Sequence, residues 1–215
     1  MMSIVRRAVL AAGLALAAIL TAAPAMAAPA PFLGDEVSIG NPRAKVTVTE
    51  YLSASCPHCA KFNNEVFPAL KAKYVDTGKV HYVMRELLTS PTNFAAAGFL
   101  LARCAGEHKY PAVLDALFHE QDAIYQSGDL ITGLHNIGQK FGISPAQTDA
   151  CIQDPKAVQA MQKRLKMAEA AGIDGTPTFL INGKKQEGEA SLADLSAAID
   201  DSLNAAPTRH KHRRD

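Results

Sequence analysis

The sequence predicts an α/β fold in which strands from both ends of the chain share one sheet, with an all-helical block inserted between them. Three observations carry this expectation. Residues 45–86 read strand, helix, strand; three-to-four spacing of apolar residues then runs through 91–171; strand character and a last helix return after 172. Neither end could bury the faces of a sheet alone, so their strands must pair. With 215 residues, 48% of them hydrophobic, the chain can build one core carrying an insertion, not two full domains.

The first strand, 45–52, is β-branched and sets Val46, Val48 and Tyr51 among its apolar members. Cys56 follows directly, and Pro57 suits the first position of a helix. That helix is expected to run to about Tyr74 with Phe62, Val66, Phe67 and Leu70 on one face, kinked at Pro68, which lacks an N–H. A second strand covers about 79–86. Helices are expected over 94–105, 110–125, 130–141, 145–152 and 157–171, punctuated by Gly106, Gly128, Gly142 and Pro155. Strand 178–181, Asn182-Gly183 and a short strand near 185–188 read as a hairpin, because Asn-Gly accepts the left-handed backbone of the tightest turns. Ser191 then caps a helix over about 192–203.

The flanks read differently. Arg6 and Arg7, the apolar run from Ala8 to Ala23 and the small-x-small Ala25-Met26-Ala27 make residues 1–27 a cleavable export signal. The run is short and Ala-rich for a membrane anchor. Arg6-Arg7 lacks the neighbours a twin-arginine signal carries, and no Cys near Ala27 offers a lipid site. Residues 28–36, rich in Ala and Pro, read as a leader. Residues 207–215, with Arg209, Lys211, Arg213 and Arg214, read as a solvated, disordered basic tail. Without Arg6 and Arg7 the chain has 20 basic against 21 acidic side chains, and no basic surface for nucleic acid outside the tail.

Cys56-Pro57-His58-Cys59 lies between a strand and a helix. A helix start offers free N–H groups and a partial positive charge, which lower the pKa of a thiol placed there. Cys56 is therefore expected to be the exposed nucleophile, and Cys59, one turn on, its buried resolving partner. His58 adds a positive or hydrogen-bonding group beside the sulfur. Stabilising the reduced thiolate makes the disulfide more oxidising. A C-x-x-C pair can also hold half a zinc site, but no second pair follows, and His119-Glu120 lacks the later His of a metalloprotease helix. The chemistry needs no metal and no cofactor. Farther along, Gly175-Thr176-Pro177-Thr178 precedes a strand. A cis Thr176–Pro177 bond would leave the Thr176 backbone free to pair with a substrate strand, and a trans bond fits the sequence equally.

The segment from Glu50 through Cys56-Pro57-His58-Cys59, the helical insert and Gly-Thr-Pro-Thr-Phe together resemble the DsbA family of bacterial periplasmic thiol–disulfide oxidoreductases, over about residues 37–203. The resemblance implies a thioredoxin-like fold: residues 37–90 and 172–206 form that domain and 91–171 the insertion. It further implies that Cys56 is the nucleophile, Cys59 the resolving cysteine, Pro177 a cis-proline, and Glu50 a buried acid assisting proton transfer to and from Cys59. One departure is Thr176, where the best-studied members carry Val and related isomerases carry Thr. It leaves substrate range, reduction potential and re-oxidising partner open.

Cys104 and Cys151 complete an even number of cysteines, which in an exported protein points to a second disulfide. Closing that loop stabilises by about 4 kcal/mol on a chain-entropy basis; two buried thiols acting as small apolar side chains are the alternative. Such a pair resembles a subgroup of DsbA-like proteins, structural first and regulatory second. The expected activity is that of a monomeric periplasmic dithiol oxidase acting on unfolded exported proteins with reduced cysteines. A membrane protein passing electrons to quinone would recharge it. A disulfide isomerase or reductase of the same fold, or a non-catalytic peptide-binding module, are the alternatives.

Overall fold

The computed structural model describes residues 27–187 and 191–205. The expected export signal, apart from Ala27, and the basic tail 207–215 lie outside the described residues. Five strands form one sheet in the order β1-β3-β2-β4-β5. They are β1 (Val37–Gly40), β2 (Val46–Leu52), β3 (Val80–Glu86), β4 (Thr178–Ile181) and β5 (Lys184–Glu187). The central strand β2 is parallel to β3 and antiparallel to β4, so the two ends of the chain do meet in one sheet. The antiparallel edge strand β1 was not expected. It is four residues long and only Val37 is buried, too little for an alternating pattern to register.

The helix after Cys56 is continuous but not uniform. It runs as α1 (Pro57–Lys61), a π-helical turn (Phe62–Val66), α2 (Phe67–Leu70) and a second π-helical turn (Lys71–Val75). The N–H of Phe67 bonds the Phe62 carbonyl five residues back. The expected kink at Pro68 thus takes the form of wider turns beside a residue that cannot donate. The inserted helices are α3 (Thr92–Cys104), α4 (Tyr110–Ser127), α5 (Leu130–Lys140), α6 (Pro145–Ile152) and α7 (Pro155–Ala170), and α8 (Leu192–Asn204) closes the fold. Ser191 caps α8 through a reciprocal box with Asp194. Asn182 and Gly183 both have positive φ, 48° and 82°, as a tight hairpin turn demands.

Alternation along β2 sorts its side chains. Val46, Val48 and Leu52 face the main core with Phe62, Leu70, Leu195 and Ile199, whereas Tyr51 on the other face meets Ala168 and Ile173. The first two valines are wholly buried. The helical block reaches the sheet mainly through α7 on β3, and its α4 lies on α1.

One polar cluster fastens these parts. Glu86, at the end of β3, receives Arg103 Nε at 2.8 Å on one carboxylate oxygen and Arg164 Nε at 2.7 Å on the other. Tyr110 donates to it at 3.3 Å. Arg103 Nη1 also donates to the Gly34 carbonyl at 2.7 Å, and the Phe32 N–H to the Arg103 carbonyl at 2.9 Å. The leader is therefore docked against α3, with the Arg103 guanidinium 5.2 Å from the Phe32 ring. Glu86 and Arg103 are each 1% exposed. Removing one member of such a group strands charge in the interior. Glu86→Gln is expected to lower the free energy of unfolding by about 3–5 kcal/mol, read from urea denaturation at neutral pH; a loss under about 1 kcal/mol would mean the group is not the buried cluster described.

Candidate active site

Cys56 occupies the cap position of α1 with extended backbone, φ −82° and ψ 120°, and Pro57 begins the helix. The cap residue of a helix normally lends a side-chain oxygen to the first N–H groups. Here no side-chain cap hydrogen bond is made, and a sulfur stands there instead. Both cysteines of the pair are free thiols. Cys59 is completely buried, and Cys56, expected to be the exposed member, is itself only 5% exposed. The reason is its surroundings. Thr176 brings its carbonyl to 3.4 Å from Cys56 Sγ across a cis Thr176–Pro177 bond, and α4 covers the loop from the other side.

The environment separates the two sulfurs. The Cys56 thiol is held at about 5, first by a hydrogen bond from the Cys59 thiol. Burial works against this, while the Thr176 side chain and the backbone N–H groups of Cys59 and His58 help. Thr176 Oγ1 is otherwise buried without a hydrogen-bond partner among the described residues, so it is a donor open to the ionised sulfur. Burial pushes Cys59 well above the usual thiol range, and the neighbouring Cys56 and Glu50 add to it. At neutral pH the pair is thus one thiolate beside one thiol. Beneath them Glu50 is 6% exposed and accepts a hydrogen bond from Tyr82 at 2.8 Å. Burial raises its carboxyl to about 7, opposed by the Tyr82 bond.

The loop before Cys56 is tied on all sides. Ser55 Oγ donates to the Thr89 carbonyl at 2.8 Å, and the Thr89 N–H to Ser53 Oγ at 3.1 Å. From α4, Gln121 Nε2 donates to the Ala54 carbonyl at 3.0 Å and lies 3.5 Å from that of Cys56; Tyr125 Oη donates to the Ser55 carbonyl at 2.9 Å. Gly98 of α3 lets a second helix close in, since a Cβ there would sit 3.0 Å from that of Ala54.

The structure thus gathers Glu50, Cys56, Pro57, His58, Cys59, Thr176 and Pro177 at one end of β2. The His58 side chain is exposed, and its backbone N–H is one of the donors that lower the Cys56 thiol. Cys104 and Cys151 lie elsewhere, joined by a disulfide that links the end of α3 to α6 with their Cα atoms 5.9 Å apart. Gln121, Tyr125, Tyr82, Ser53 and Ser55 were not anticipated. For Gln121 a signal existed: it falls in phase with Leu114, Leu117, Phe118 and Ile124, a polar residue on the buried stripe of its helix.

A thioredoxin family model matches residues 33–201. A Rickettsia typhi protein named as a protein-disulfide oxidoreductase is 35% identical over 171 residues, covering 79% of this chain and 62% of that protein. A similarly named Rickettsia bellii protein is 33% identical, covering 81% and 67%. The chain therefore spans about two-thirds of the length of these relatives. The crystal structure of Wolbachia pipientis alpha-DsbA1 superposes with a TM-score of 0.70 at 28% identity, covering 78% of this chain and 90% of that one. BdbD of Bacillus subtilis, at 19% identity, TM-score 0.69, and covering 83% and 98%, shares the fold.

The raised Glu50 carboxyl has a consequence for stability. Below about 4.5 it is protonated folded or unfolded and costs nothing; as the pH climbs through about 7 the fold must bury a charge, so stability is lost over that interval. Glu50→Gln is expected to match the parent protein at pH 4 and to exceed it at pH 8 by up to about 3 kcal/mol, measured by urea unfolding of the reduced protein. Equal stabilities at pH 8 would contradict the buried, raised carboxyl.

Proposed function

This chain belongs to the thioredoxin family, and from that premise we propose that it is a DsbA-type thiol–disulfide oxidoreductase working as a dithiol oxidase on exported proteins. The observation that supports this best is the contrast between Cys56, held at about 5, and the buried, protonated Cys59. A thiolate stabilised in the reduced state makes the disulfide state a stronger oxidant.

The oxidised enzyme carries a Cys56–Cys59 bond. A substrate thiolate attacks Cys56 Sγ, the bond to Cys59 breaks, and Cys59 departs as a thiolate that takes up a proton. Glu50, whose carboxyl is raised to about 7, is the acid placed to relay it. The second substrate thiolate then attacks the sulfur bonded to Cys56, closing the substrate disulfide and expelling the Cys56 thiolate. Two electrons pass from substrate to enzyme. The backbone at Thr176, beside Cys56, is positioned to pair with the incoming substrate segment. A periplasmic setting agrees with the signal-like first 27 residues and with the second disulfide. The cycle then needs an external acceptor, for which a quinone-linked membrane protein is the proposed partner. The Cys104–Cys151 link serves chiefly to brace the insertion.

Glutathione equilibration is expected to give a Cys56–Cys59 potential more oxidising than roughly −180 mV. Cys56→Ser and Cys59→Ser, neither able to hold the disulfide, should both lose peptide-oxidation activity, and Cys59→Ser should trap a mixed disulfide through Cys56 when the peptide is offered as its disulfide, whose second sulfur leaves as the thiolate. A potential near the thioredoxin value of about −270 mV would make the protein a reductase instead.

A further inference from the structure

Two successive carbonyls just before the helix, those of Ala54 and Ser55, point toward the insertion, while that of Cys56 opens the helix by accepting the Ala60 N–H at 3.1 Å. Ala54 and Ser55 are wholly buried and Cys56 is 5% exposed, so water cannot satisfy these groups. The donors come from one turn of α4: Gln121 Nε2 to Ala54 at 3.0 Å, with the Cys56 carbonyl at 3.5 Å, and Tyr125 Oη to Ser55 at 2.9 Å. Gln121 is itself completely buried, and Tyr125 is fixed edge-on against Phe94 with ring centroids 5.4 Å apart. Neither side chain touches the Cys56 sulfur in a hydrogen bond. Both act on the peptide groups that decide where it points.

The electrostatic effect has a definite sign. A carbonyl oxygen is the negative end of its peptide dipole, and one that turned toward Sγ would repel a thiolate. A carbonyl anchored to α4 is kept turned away, and the fixed segment holds Sγ at the helix start, where the N–H groups of His58 and Cys59 face it. The Tyr125 phenol is close enough to feel that charge: burial and the Cys56 thiolate together push it up to about 12.

Building on the redox reading above, we propose that Gln121 and Tyr125 are positioning residues. By anchoring the Ala54 and Ser55 carbonyls, helix α4 of the insertion sets the acidity of Cys56 and hence the oxidising strength of the pair. The insertion is then part of the redox centre and not only a cover over it.

The test measures, in the full chain, the pH midpoint of Cys56 alkylation and the equilibrium constant with glutathione. Tyr125→Phe and Gln121→Met keep shape and remove the donors. Each is expected to raise the midpoint by about one pH unit, and to lower the oxidising equilibrium constant about tenfold at pH 7, equivalent to about 30 mV. Ile124→Val, in the same helix turn and pointing into the core, controls for simple destabilisation: its melting temperature should fall while its midpoint stays where the parent protein has it. If both donor variants lose stability but keep the parent midpoint and equilibrium constant, the positioning role is wrong and the oxidase reading stands. If the parent protein itself titrates like an ordinary thiol, it is the oxidase reading that fails.

Discussion

Cys56 is 5% exposed, so protein donors must replace the water that its charged sulfur lacks. That requirement accounts for much of the local architecture. The helix begins at Pro57, directly after Cys56, which aims its first N–H groups at the sulfur. Cys59 is one turn on, where its thiol can donate. Thr176 is brought in from the far end of the chain, and α4 is brought in from the insertion. A sulfur at the same sequence position but outside a helix start would have none of these partners, and Cys-x-x-Cys spacing alone would not make it acidic.

Depth does the rest. Burial pushes up both Cys59 at the start of α1 and Glu50 near the end of β2, while Cys56 has donors enough to offset it. β2 is the central strand, flanked by β3 and β4, and Glu50 on it is 6% exposed. The same centrality explains Tyr82: it is on the neighbouring strand β3, and its hydroxyl is the polar group that meets a carboxyl buried there. Across the sheet end, Glu86 solves a similar problem in another way. It stays with two arginines and so serves as a fixed joint between β3, α3, α7 and the leader.

Much of the fold was legible because it rests on periodicity and punctuation. The central strands, the hairpin at Asn182-Gly183 and the capped helix after Ser191 appear within a residue or two of where local pattern puts them. So does the helical insert. What escaped was of two kinds. The edge strand β1 is too short to show a period. The buried polar groups, namely Gln121, Arg103, Arg164 and Glu86, look from sequence like ordinary surface residues. They betray themselves only by falling on the apolar stripe of a helix or the covered end of a strand, and their partners lie tens of residues away. The depth of Cys56, which the sequence places as exposed, is hidden for the same reason. Exposure at a strand end depends on what is folded over it, and here that is Thr176 and α4, neither adjacent in sequence.

The antiparallel pairing of β4 on β2 also carries a meaning for biosynthesis. A chain emerging from its N-terminus delivers Cys56, Cys59 and Cys104 well before residues 176–181 exist. Until β4 seats against β2, the Thr176 carbonyl and hydroxyl are missing from the recess, and Glu50 faces an unfilled sheet edge where Phe179 will stand. In the half-made chain the sulfur has the donors of its own helix but lacks the Thr176 hydroxyl. The full set of donors around Cys56 is therefore complete only with the C-terminal hairpin, after every other cysteine of the chain has been made.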